Sequence, residues 1–151
     1  MSEVTTHTHI ATNGRAELGL DDLAALHGGF AHFMLEISAR ATRCYQAAKA
    51  RNSRVARHQL SELTKTLRLS VKVRPQYAEA MERFISEDLG RVSQAIADAD
   101  WDHFEQVWEA FTIAVNDRHD EFDHGYLVWR VPKDVPSDLD LSVRPEEGAR
   151  E

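Results

Sequence analysis

Trp101, Phe104, Trp108, Phe111, Val115 and Phe122 step along the chain by 3, 4, 3, 4 and 7 positions. That spacing is the seam of an amphipathic helix. The step of seven skips one layer, and the residue standing there, four past Val115, is His119. An imidazole on an apolar line must satisfy its ring nitrogens, because an unpaired buried polar group costs about 1–3 kcal/mol. Three chemistries meet the demand: a hydrogen-bonded structural histidine, an axial ligand to a metal or heme iron, or an acid–base group in a pocket.

Other groupings carry weaker chemistry. Asp117, His119, Asp120, Glu121, Asp123 and His124 crowd one helix end. Glu121-x-x-His124 and Asp100-x-x-His103 have the spacing of di-iron bundles, but they stand about 30 Å apart along one helix. They cannot share a site, and the acidic run reads as a solvated face. A zinc ion across His119 and His124 is disfavoured, since residues five apart do not share a helix face. His58 lies among Arg54, Arg57 and Lys65, and Arg40, Arg43, Lys49 and Arg51 extend that basic corner. It reads as an anion or acidic-partner patch, or as ordinary charged surface. The lone Cys44 falls on an apolar line as a small hydrophobe. No Gly-rich phosphate loop, Ser-His-Asp spacing, Cys-x-x-Cys or catalytic carboxylate pair is present in the sequence.

The elements that position His119 follow from the breakers. Between Phe30 and His124 there is one proline, Pro75, and one glycine, Gly90, so the stretch reads as helices joined by tight turns. Helix one starts near Asp21 as its cap and carries Leu23, Phe30, Phe33, Met34, Ile37, Ala41 and Cys44 inward, to an end at Asn52. Ser53 caps helix two, with Ala56, Leu60, Leu63, Leu67 and Val71 on one face. Pro75 opens helix three, which buries Tyr77, Met81, Phe84, Ile85, Leu89, Val92 and Ile96. Asp100 caps helix four, and Gly125 ends it in the left-handed conformation. The spacing predicts an all-α, up-down-up-down four-helix bundle with a short extended C-terminal tail. Residues 1–18 form a flexible tail that includes His7 and His9, residues 19–132 the bundle, and residues 133–151 an extended tail. Antiparallel matching of helices one and four sets His119 opposite His27, Gly28, Gly29, Phe30 and Met34. The two glycines either leave room there for a flat group or separate a loose first turn from the helix proper.

The chain of 151 residues carries 18 Lys and Arg against 25 Asp and Glu, a net charge of −7. That balance argues against general nucleic-acid binding. No apolar run reaches membrane-spanning length and the N-terminus has no apolar signal core, so a cytoplasmic protein is expected. One cysteine implies no oxidising compartment.

Several of these residues resemble the cytochrome c prime family of four-helix heme proteins. The likeness rests on Asp100-Trp101, Phe104, Phe111-Thr112, Val115-Asn116-Asp117-Arg118-His119 and Tyr126-Leu127-Val128 through Pro132, with Asn52 and Ala56 at the turn into helix two. Where the family carries its two heme-attachment cysteines, Val115 and Arg118 stand here. The resemblance therefore implies heme b held without covalent bonds. His119 would be the axial metal ligand, with His27 or Met34 distal or an open distal face against Phe30. Arg118 would meet a propionate, and Phe30, Met34, Phe111, Val115 and Phe122 would wall the pocket. Gas binding, electron transfer or heme-dependent oxidation follows, with a small-molecule ligand or redox partner and a homodimer built on helices one and two. The alternative is a cofactor-free bundle that binds an apolar small molecule or a protein partner. Tyr126, Leu127, Val128 and Trp129 would then cover the bundle's end or meet a second subunit.

Overall fold

The computed structural model describes residues 10–12 and 16–144. It is helical apart from one hairpin. Strand β1 (Ile10–Thr12) pairs antiparallel with β2 (Ala16–Leu18), Ile10 facing Leu18, where a tail without secondary structure was expected. His7 and His9 lie outside the described residues.

Helix α1 (Leu20–Leu26) is short, and Asp21 sits inside its first turn rather than capping it. The Asp22 carboxylate instead accepts the Gly19 N–H at 2.8 Å. Gly28 and Gly29 then take φ values of 75° and 65°, a region that costs other residues about 1–2 kcal/mol. The glycine pair thus separates a first turn from the helix proper, α2 (Gly29–Lys49). Arg51, with φ 58°, turns the chain out of α2. Asn52, not Ser53, caps α3 (Ser53–Ser70): its side-chain oxygen accepts the Val55 N–H at 3.1 Å.

Pro75 opens a 3₁₀ turn (Pro75–Tyr77) that leads into α4 (Ala78–Phe84). One π turn (Ile85–Leu89) joins α4 to α5 (Gly90–Asp98), a widening that the regular spacing of helix three does not announce. Asp100 caps α6 (Trp101–Glu121) by accepting the His103 N–H at 3.1 Å. The left-handed residue after α6 is Asp123, at φ 61°, not Gly125. A Cβ at Gly125 would meet the Asp120 carboxylate oxygen, the far end of an exposed side chain that can swing aside.

Helix α2 packs along α3 and α5 along α6, and contacts of α3 with α5 and α2 with α6 close a helical bundle. Its core holds the expected stripes: Ile37, Ala41 and Cys44; Leu60, Leu63 and Leu67; Phe84, Leu89, Val92 and Ile96; Phe104, Trp108, Phe111 and Val115. Val71 is only half-buried. No helix among the described residues is long and apolar enough to cross a membrane.

Beyond α6 the chain runs back along the bundle. Leu141, 5% exposed, enters the core, so the packed unit extends past the expected boundary at 132. The Asn52 amide holds this end, donating to the carbonyls of Leu141 and Ser142 at 3.2 and 3.0 Å. One side chain therefore caps α3 and ties down the C-terminal segment. Asn52→Ala is expected to cost about 2 kcal/mol in urea unfolding, the loss of a cap and of a buried pair of bonds. Limited proteolysis should open the segment around Leu141 first in that variant.

Candidate functional site

At 3.6 residues per turn, His119 falls at the same angle on α6 as Trp101, on the edge of the seam rather than off it. The tertiary structure settles the rest: His119 faces the returning C-terminal segment. It is half-buried, and its Nδ1 pairs with the Leu127 carbonyl at 2.5 Å. That carbonyl accepts, so the tautomer that donates carries its proton on Nδ1. The Trp129 ring stands edge-on at 6.3 Å. This bond satisfies Nδ1 in the manner of a structural histidine and leaves Nε2 free.

Three further side chains pin the segment, and sequence reasoning assigned this role to none of them. Asn116 is reciprocal: its Oδ1 accepts the Trp129 N–H at 2.7 Å and its Nδ2 donates to the Trp129 carbonyl at 3.0 Å. It thereby holds both backbone groups of one residue much as a neighbouring antiparallel strand would. Gln46 donates to the Pro132 carbonyl at 3.2 Å, and Arg43 pairs with Asp138 at 2.5 Å. A side-chain amide on a helix facing a proline-bounded apolar run was the only signal available.

The residues named for a heme pocket divide between the core, one end of the bundle and its edge. Phe111 and Val115 are buried in the core, Phe111 against Phe84 at 5.6 Å and Trp108 at 5.0 Å. Phe30 and Phe122 meet at one end of the bundle through Tyr77, whose ring lies 5.6 Å from Phe30 and 4.2 Å from Phe122. His27 is exposed, its ring 4.9 Å from Phe33. Met34 packs against the core from its edge. Arg118 pairs with Glu121 at 2.8 Å. The space at the centre is taken by Phe104, Trp108 and Tyr45, with ring centroids 5.3–6.0 Å apart.

Two of the cavities among the described residues are small. One of about 160 Å³ lies between Ala41, Thr42 and Trp108 on the helices and Trp129 and Pro132 on the segment. The other, about 130 Å³, lies between Lys49, Trp101 and Glu105. Pockets for drug-sized ligands measure about 300–1,000 Å³, and neither cavity borders His119 or Met34. Neither cavity offers a heme room beside His119; the Leu127 carbonyl engages only Nδ1 and leaves Nε2 free, as in metal-bound histidines.

Metal chemistry at the acidic end fares no better. Among the described residues no three His, Cys, Asp or Glu side chains converge to hold an ion. His124 turns its Nδ1 to the Phe122 carbonyl at 2.6 Å, away from His119.

One polar cluster was missed by sequence reasoning. The Tyr45 hydroxyl donates to Glu105 at 2.9 Å, and Lys49 pairs with the same carboxylate. Burial works to raise the Glu105 carboxyl, but the bonds from Lys49 and Tyr45 hold it below the usual carboxylate range. Burial foremost, then the bond to Glu105, pushes the Tyr45 hydroxyl up to about 12. A phenol so weakly acidic is a poor proton donor at neutral pH. Cys44, fully buried and with its thiol pushed up to about 12 by burial, is equally inert.

No protein-family model matches this chain, and no curated protein or solved structure is significantly similar to it.

Because the folded state holds the Tyr45 proton more tightly than the ordinary pKa of 10.0, its contribution to stability is fully present below pH 10 and is lost as pH rises toward 12. In ultraviolet titration one tyrosine should therefore ionise near pH 12, and Glu105→Gln should bring that step down.

Proposed function

We propose that this chain is a cofactor-free bundle that works as an interaction module, docking another protein chain on the outer face of its C-terminal segment. Its four rods, α2, α3, the α4–α5 rod and α6, run alternately up and down, as their short connections favour. The observation that carries the reading is the contrast between a filled interior and an apolar exterior at one place. Among the described residues, six of the ten exposed large hydrophobics lie between Tyr126 and Val143. Tyr126 and Val128 are 77% and 74% exposed, yet the backbone beneath them is held by His119 and Asn116. Exposed apolar side chains on a rigidly pinned backbone lose little freedom on docking, which favours association.

Of the two partners that a cofactor-free bundle was expected to take, an apolar small molecule is the less well served, because the cavities are below ligand size. A protein surface suits the exposed outer face of the segment. The acidic balance and the absence of any membrane-length helix among the described residues fit a water-facing protein with no nucleic-acid role.

Hemin added to the pure protein should leave the Soret band at the position of free hemin, with the same spectrum for His119→Ala. A shifted band that His119→Ala abolishes would overturn the cofactor-free half. For the other half, immobilised protein should retain a protein ligand, its own chain included, that the Tyr126→Ser/Val128→Ser double variant loses at an unchanged urea midpoint.

A further inference from the structure

The exposed face of the segment has neighbours on both flanks. Thr42 and Ser38 of α2 border the cavity beside Trp129 and Pro132, and Leu35 stands on that same α2 face, seven residues before Thr42. It is 74% exposed. On the α6 flank, Ile113 precedes the gripping Asn116 by one turn and is 62% exposed. Exposed apolar side chains thus stand on the segment, Tyr126 and Val128, and on each of the two helices that hold it, Leu35 and Ile113, and clustered exposure of this kind marks association surfaces.

The charges at the two ends of the segment differ in sign. At its start stand Asp120 and Asp123, both exposed; at its far end stand Arg130 and Lys133, also exposed. Among the described residues none of these four makes an ion pair, whereas the adjacent Arg118 and Glu121 satisfy each other. Asp134, also exposed, follows Lys133 and leaves that end net basic. A surface that is apolar in the middle, acidic at one end and basic at the other complements itself when a copy is turned end for end. Two-fold symmetry requires that self-matching of an isologous interface.

We propose that the partner is a second copy of this chain, packed face to face on Tyr126–Lys133 with the two segments antiparallel about an axis near Val128. The proposal rests on the interaction reading above and names its occupant. In this pairing the acidic end of each segment meets the basic end of the other, and Tyr126 of one copy lies near the guanidinium of Arg130 on the other, a favourable cation–ring approach. Leu35 and Ile113 extend the contact beyond the segment toward the roughly 800 Å² per partner of a stable dimer.

The test is the mass of the full chain by light scattering and sedimentation, with circular dichroism to confirm folding. The wild type should be a dimer. Arg130→Glu/Lys133→Glu should raise the dimer dissociation constant by about tenfold or more, because acid then faces acid. Adding Asp120→Lys should restore most of the affinity, a rescue that general damage to the fold would not produce. Val128→Cys should cross-link to a disulfide dimer under mild oxidation while a Ser93→Cys control, on the exposed side of α5, stays monomeric. Cys44 is buried and contributes no background. A wild-type monomer at about 100 μM, well above the micromolar range of ordinary specific complexes, would overturn the proposal, as would equal cross-linking of the two cysteine variants. If the monomer still retains a different protein that Tyr126→Ser/Val128→Ser loses, the interaction reading stands with another occupant. If it retains none, both fall.

Discussion

The grip of Asn116 on both hydrogen-bonding groups of Trp129 sets the course of everything that follows α6. A chain leaving a helix with free peptide groups must pair them with water or with protein. Here a helical side-chain amide supplies a donor and an acceptor at the spacing of a neighbouring strand, so the segment is laid against the bundle rather than released. His119 and Gln46 add one bond each, and Asn52 ties the far end. Leu141 then has a place in the core, and Val128 is left facing out.

That arrangement bears on why the interior is full. A dry void of about 300 Å³ would cost about 7 kcal/mol at 24 cal/mol per Å³, comparable to the whole stability of a domain this size. A bundle without a cofactor cannot leave such a hole. Phe104, Trp108 and Phe111, with Tyr45 and Phe84 from facing helices, occupy the middle. The Trp129 ring and Val131 pack against the core from the segment side. The aromatic richness of α6, which the resemblance to heme bundles made suggestive, serves as filling.

Much of the helical architecture was legible because it is local. The apolar stripes of α2, α3, α5 and α6, the Asp100 cap and the proline at the start of the third rod each follow from spacing within one turn or two. The hairpin was not, because its strands are three residues each, too short for an alternating pattern to stand out. The site was the least legible part. His119 shares its angle on α6 with Trp101, at the seam's edge, where spacing does not distinguish a side chain turned to the core from one turned to a covering segment. The partners of Asn116, Gln46 and Asn52 lie 13, 86 and 89 residues away, beyond the reach of any local pattern.

By itself the sequence determined that the chain is largely helical, where its third and last rods start, which stripes the helices bury, and that one histidine stands near the end of the last. Periodicity and capping act over a few residues, so they are written in the order of the residues. Only the tertiary structure decided whether that histidine met a cavity or a carbonyl, and which apolar residues were left outside after the core had closed. Those outcomes depend on how facing helices share a fixed interior volume and on where a returning segment finds partners for its peptide groups. Both are properties of the assembled bundle rather than of any one stretch of it.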